Sequence, residues 1–108
     1  MEEFSCFHIT TEDRLGTILK CGLKPNATPN RSARKAPHIM LSLYPYWFLY
    51  KNYKKNKGLI LIEIRDPEIK REMFDGDPEG LTWEQVIKPE YFRAIVRFEV
   101  INDINLYR

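Results

Sequence analysis

The sequence predicts an α+β fold, a mostly antiparallel β-sheet with one or two short helices. Three observations lead there. Apolar segments run in the order strand, helix, loop, strand, helix, strand, turn, strand, strand, with strands crowded into the second half. The run LILIEI at 59–64 is apolar and β-branched, and AIVRFEVI at 94–101 alternates with the period of two that a half-buried strand requires. Gly-x-Gly-x-x-Gly and the phosphate-loop signature are both absent, so neither common nucleotide cradle is available, and the crowding of strands argues against a doubly wound fold.

Each element has its own signal. Residues 3–10, EFSCFHIT, are aromatic and β-branched with partial alternation, and read as a strand. Thr10-Thr11-Glu12-Asp13 has the form that caps a helix N-terminus, with Thr10 as the cap. Leu15, Ile18 and Leu19 recur at helical spacing, and Gly22 is placed to end the helix in the left-handed conformation, giving a helix over about 12–21. Residues 24–37, KPNATPNRSARKAP, hold three prolines and no large apolar side chain, and form a long, basic loop. Residues 38–43 read as a short strand and 45–53, PYWFLYKNY, as a helix with proline in its first turn. After the strand at 59–64, residues 66–80 are acidic and turn-rich, with one helical turn around 68–74. Residues 81–87 look strand-like throughout, 89–92 turn, and 94–101 form the last strand.

Composition bounds the function. A chain of 108 residues, 44% hydrophobic and 13% aromatic, is one domain with a real core rather than a disordered segment. No stretch approaches the roughly 18 apolar residues of a membrane span. Cys6 and Cys21 are too few for a disulfide framework and lack zinc-knuckle spacing, and the expectation is two reduced thiols in a cytoplasmic protein without a metal. The formal net charge of +2 conceals a division. From residue 21 to 62 there are eight basic residues and no acid, whereas 63–90 holds nine acids and four bases. The basic stretch 24–57 could meet a nucleic acid or a protein acceptor.

A few residues could carry chemistry. His8 lies in a strand between Phe7 and Ile9, either as a half-buried structural histidine or as a fixed hydrogen-bonding group. Glu84 stands in the strand-like segment 81–87, where it would share a face with Thr82 and Val86; an exposed strand glutamate is the plainer alternative. The aromatic residues of 44–53, interleaved with Lys51, Lys54 and Lys55, suit base stacking or, equally, a core-facing helix. Cys6 near His8 is weak ground for a thiol nucleophile, and the acids at 75–79 lack the spacing of a calcium loop.

Taken in order, these pieces resemble the ADP-ribosyltransferase fold, and within it the compact bacterial DarT-type enzymes and the RNA 2′-phosphotransferases. The likeness rests on Phe7-His8-Ile9-Thr10, on Ile18-Leu19-Lys20-Cys21-Gly22-Leu23-Lys24-Pro25, and on Ile39-Met40-Leu41-Ser42 with Tyr50 behind it. It continues through Leu59 to Ile64 and through Glu84 to Phe92, and so covers most of the chain. The resemblance implies a split antiparallel sheet and NAD as a substrate. It assigns His8 to the NAD ribose hydroxyls and the backbone of Ile9 or Thr10 to the nicotinamide amide, and counts Ser42 among the cofactor-binding residues. It stacks Tyr50 on the nicotinamide ring and gives Glu84 the stabilisation of positive charge as the glycosidic bond breaks. Arg31 or Arg34, in the basic loop, would meet the pyrophosphate or the acceptor. Relatives of this type usually carry tyrosine where Met40 stands, and the DarT-type enzymes are longer. A module that binds NAD or ADP-ribose without transferring it is therefore a second expectation, and a nucleic-acid binder or RNA-end enzyme a third.

Overall fold

The computed structural model describes residues 4–25, 37–45, 58–76 and 80–98. Within them the apolar segments fall into five strands and one α-helix. These are β1 (Cys6–Thr11), α1 (Glu12–Cys21), β2 (Ile39–Leu41), β3 (Leu59–Ile64), β4 (Leu81–Trp83) and β5 (Phe92–Phe98). Single 3-10 turns occupy Arg71–Phe74 and Pro89–Tyr91. All pairing between these strands is antiparallel, in a three-stranded sheet of order β1-β3-β5 and a two-stranded sheet of β2 and β4. The α+β reading with antiparallel sheets and a helix is therefore the observed architecture.

β3 is central because its composition lets it be. Ile60, Ile62 and Ile64 have no solvent exposure, and Leu59 and Leu61 on the opposite face are also buried. Its one charge, Glu63, accepts a hydrogen bond from the Ser5 hydroxyl at 2.5 Å, and the Arg65 guanidinium donates to the same Ser5 oxygen at 3.1 Å. A carboxylate so partnered can sit in a strand at little cost. Against the isoleucine face pack Cys6, Ile18, Leu23, Ile39, Leu41, Ile69, Phe74 and Ile87, with Leu81 and Trp83 of β4 and Phe92 of β5 partly buried against them. Phe4 meets Phe74 edge to face with ring centroids 6.3 Å apart.

α1 covers the predicted residues, with Glu12 and Asp13 in its first turn and Lys20 in its last, the arrangement that complements the helix dipole. Its N-cap is Thr11 rather than Thr10; Thr11 is also the last residue of the β1 ladder, opposite Leu59, so the strand runs directly into the helix. The Thr11 hydroxyl bonds the Asp13 carboxylate instead of a backbone N–H. The Glu12 N–H instead donates to the Gly58 carbonyl at 2.9 Å. Gly22 ends the helix with its N–H on the Ile18 carbonyl at 2.7 Å, at φ 87° and ψ 178°. That φ is positive as expected, but ψ is extended rather than left-handed helical, a region close to glycine-only. The same glycine lets two backbones approach: a Cβ there would stand 2.5 Å from the Ile87 carbonyl oxygen.

Two expected boundaries change. The strand read over 81–87 stops at Trp83; Ile87 then forms a separate bridge with Leu23, exchanging both backbone bonds at 2.9 Å. The last strand begins at Phe92, earlier than residue 94. The expected loop at 26–36, nearly all of the helix at 45–53, and the end of the last strand lie outside the described residues. Among the described residues no helix is long and apolar enough to cross a membrane.

Candidate functional site

The two sheets touch where β1 passes β2. Phe7 and Ser42 exchange both backbone hydrogen bonds, at 2.8 and 2.9 Å. In an antiparallel ladder the next such exchange would join Ile9 to Met40. It does not form. The Met40 carbonyl instead accepts a hydrogen bond from His8 Nδ1 at 2.8 Å, and the seam between the strands opens at that point.

This single contact fixes the chemistry of His8. A carbonyl can only accept, so Nδ1 carries the hydrogen and Nε2 presents its lone pair. Burial pushes the imidazole below its ordinary value of 6.5, more than the Met40 hydrogen bond raises it, and the charge of Arg14 pushes in the same downward direction. His8 is thus neutral at physiological pH, with an acceptor nitrogen that has no protein partner among the described residues.

Backbone alternation supplies the rest of the seam. Because Phe7 turns its N–H and C=O toward β2, Ile9 does so too, while His8 and Thr10 bond β3 opposite Ile62 and Ile60. With the Ile9–Met40 exchange missing, the Ile9 donor and acceptor stand side by side without a partner among the described residues. Thr10 is buried. Ser42 is buried too, and its hydroxyl donates to the Tyr44 carbonyl at 2.9 Å and accepts the Tyr44 N–H at 3.2 Å, which holds the chain in a tight bend.

Glu84 stands one strand further out. Met40 pairs with Thr82 and Ile39 with Trp83, so Glu84 follows directly on the strand that flanks the Met40 carbonyl. Glu84, Gln85 and Val86 form an exposed arch, held at one end by β4 and at the other by the Leu23–Ile87 bridge. Glu84 does not share a strand face with Val86, because the strand has ended; its carboxylate is solvated and makes no hydrogen bond or ion pair among the described residues.

The structure thus brings His8, Ile9, Thr10 and Ser42 to one seam and sets Glu84 on the adjoining strand pair. Tyr50, Arg31 and Arg34 lie outside the described residues. Two further residues belong to this region. Arg14, exposed on α1 one helical turn before the buried Ile18, is near enough for its charge to act on His8. The i, i+4 relation to Ile18 was the available signal. Trp83 has a buried indole N–H with no hydrogen-bond partner among the described residues, directly before Glu84. The sequence holds no signal for that.

Cys6 is not a nucleophile. It is 1% exposed, and burial together with the nearby Asp66 carboxylate pushes its thiol up to about 12. Among the described residues no group of histidines, cysteines and carboxylates is arranged to hold a metal. Comparison with family models, curated proteins and solved structures gives no match to this chain.

Proposed function

We propose that this chain binds NAD and breaks its nicotinamide glycosidic bond, as an ADP-ribosyltransferase or an NAD-cleaving enzyme acting toward a nucleic-acid or protein acceptor. The fold that accompanies this reading is ADP-ribosyltransferase-like, with its sheet split along the β1–β2 seam. One observation carries it. The seam offers a neutral imidazole acceptor beside an unspent backbone donor and acceptor, all on a rigid strand. A ribose hydroxyl needs an acceptor such as His8 Nε2, and a carboxamide needs one donor and one acceptor side by side, as Ile9 provides.

In the reaction the C1′–N bond breaks, its electron pair leaves with nicotinamide, and positive charge develops on the ribose. Glu84, carried on the exposed arch, stabilises that charge when substrate spans from the seam to β4. The acceptor nucleophile, or water, then attacks C1′ and gives up its proton. The basic segment 24–57 suits a phosphate-bearing acceptor, and Tyr50 and Arg31 or Arg34 keep the roles the resemblance implies.

The test is nicotinamide release from NAD, with and without nucleic-acid and protein acceptors. Glu84→Gln keeps the side-chain shape and removes the charge; the wild type should exceed it by about a hundredfold or more. Release no greater than in that variant sinks the enzyme reading. The solvated position of Glu84, one strand from His8, favours a second reading, a module that binds NAD or ADP-ribose without turnover. Calorimetric titration separates the two: binding lost in His8→Ala but kept in Glu84→Gln, without release, selects the module.

A further inference from the structure

The register of the β1–β2 seam contains a second arrangement. With Phe7 opposite Ser42 and the strands antiparallel, His8 falls opposite Leu41 and Ile9 opposite Met40. Ser42 turns its N–H and C=O toward β1, so two residues back Met40 does the same, while Ile39 and Leu41 serve the pairing with β4. Ile9 turns its own two groups toward β2. Four complementary groups therefore face one another, and a completed ladder would join them by two hydrogen bonds. Among the described residues only the Met40 carbonyl is used, and it is taken by a side chain rather than by Ile9.

The His8 ring explains why the ladder stops. A strand side chain stands on a face of the sheet, not in its plane. To accept from Nδ1 at 2.8 Å, the Met40 carbonyl has to lean out of line with the Ile9 N–H. β1 cannot relieve this competition, because β3 holds it from Cys6 to Thr11. β2 can, being three residues long and bonded to the β1 backbone only at Ser42 among the described residues. Turning the imidazole away gives up one hydrogen bond. Closing the ladder makes two, between groups that otherwise stand unpaired.

We propose that His8 is a latch: its bond to the Met40 carbonyl props the seam open, and release of that bond lets Ile9 and Met40 complete the ladder. The open seam leaves the Ile9 N–H and C=O for a ligand, and the closed seam uses both. Closure and ligand binding then exclude each other, so the latch regulates access to the site; this last step rests on the NAD reading. The latch itself belongs to the chain without ligand.

Amide hydrogen exchange of the ligand-free chain, resolved by residue with NMR, tests it. In the wild type the Phe7 and Ser42 amides, bonded across the seam, should exchange slowly, and those of Ile9 and Met40 much faster. His8→Ala removes the prop, and the Ile9 and Met40 amides should slow by about tenfold or more. His8→Asn, whose amide can still donate to the Met40 carbonyl, should exchange as the wild type does. Slow Phe7 and Ser42 amides establish that a variant keeps its fold. Should His8→Ala lose it, His8→Val, with a side chain suited to a strand, takes its place. Ile9 and Met40 amides that stay fast without His8, or that are already slow in the wild type, overturn the latch. NAD titration of the wild type keeps the two readings apart. No binding, with the amides still slowed in His8→Ala, removes the NAD reading and supports the latch; binding without any slowing removes the latch alone.

Discussion

β3 and β1 are neighbours in one sheet, yet they use their groups differently. β3 is paired along both edges and buried on both faces, with its only carboxylate tied to Ser5. β1 is paired along its whole length on one edge and, among the described residues, only at Phe7 on the other. Where every backbone and side-chain group has a partner inside the protein, nothing remains for a ligand. Where the ladder stops after one exchange, a histidine nitrogen and a peptide group are left over. The structural strand, aliphatic but for Glu63, and the candidate binding strand, which carries Cys6, His8, Thr10 and Thr11, differ in residue type and in pairing.

The largest expected effect breaks the structural side of this contrast. Ile62→Ala removes a side chain with no exposure from the middle of β3 and leaves a cavity, at a cost of about 3 kcal/mol in denaturant unfolding. Val86→Ala, on the 49% exposed arch, should cost less than about 0.5 kcal/mol. Comparable losses from both would mean that the arch is packed rather than solvated.

Gly22→Ala comes next, because it strikes the joint between core and arch. A methyl group would meet the Ile87 carbonyl at 2.5 Å on a backbone of φ 87°, so the Leu23–Ile87 bridge must open. Destabilisation of about 2 kcal/mol is expected from the two effects together. Under the proposed function, nicotinamide release should fall further than stability alone explains, since Glu84 is held by that bridge. Unchanged stability would show that the bridge yields easily.

These residues also mark what could be read from the chain beforehand. LILIEI announces β3 because burial on both faces and a β-branched run need no information from elsewhere. α1 is equally local, with its spacing of Leu15, Ile18 and Leu19 and its terminal glycine. The end of β4 is not local. Trp83 and Ile87 are four residues apart, but one pairs with β2 and the other with Leu23, and only the assembled fold separates them. His8 could be singled out from its neighbours; that its partner is the Met40 carbonyl, across 32 residues of chain, could not.

A smaller effect tests the state of His8. Its folded value lies below the unfolded value near 6.5, so between the two the unfolded chain binds more protons than the folded one. Stability should therefore be level above that window and decline as pH falls through 6.5 toward the folded value. His8→Asn, whose amide can still donate to the Met40 carbonyl, should flatten this part of the profile in thermal melts from about pH 8 to pH 5. A wild-type profile that matches the variant's would mean that the imidazole is not desolvated at the seam.

The smallest expected change concerns Trp83, which sits in the two-stranded sheet opposite the buried Ile39. Its buried indole N–H lacks a hydrogen-bond partner among the described residues, a deficit of about 1–3 kcal/mol. Trp83→Phe removes the donor and keeps an aromatic ring, trading some packing for the relieved deficit, so unfolding free energy should move by less than about 1 kcal/mol. The informative readout is ligand affinity. A donor left over next to Glu84 fits the pattern of the β1 seam, where groups without internal partners are those a substrate would use. NAD affinity should then fall severalfold in Trp83→Phe with stability unchanged. If affinity is untouched, the orphaned N–H is a defect of packing, and the contrast between occupied and open groups stops at β1.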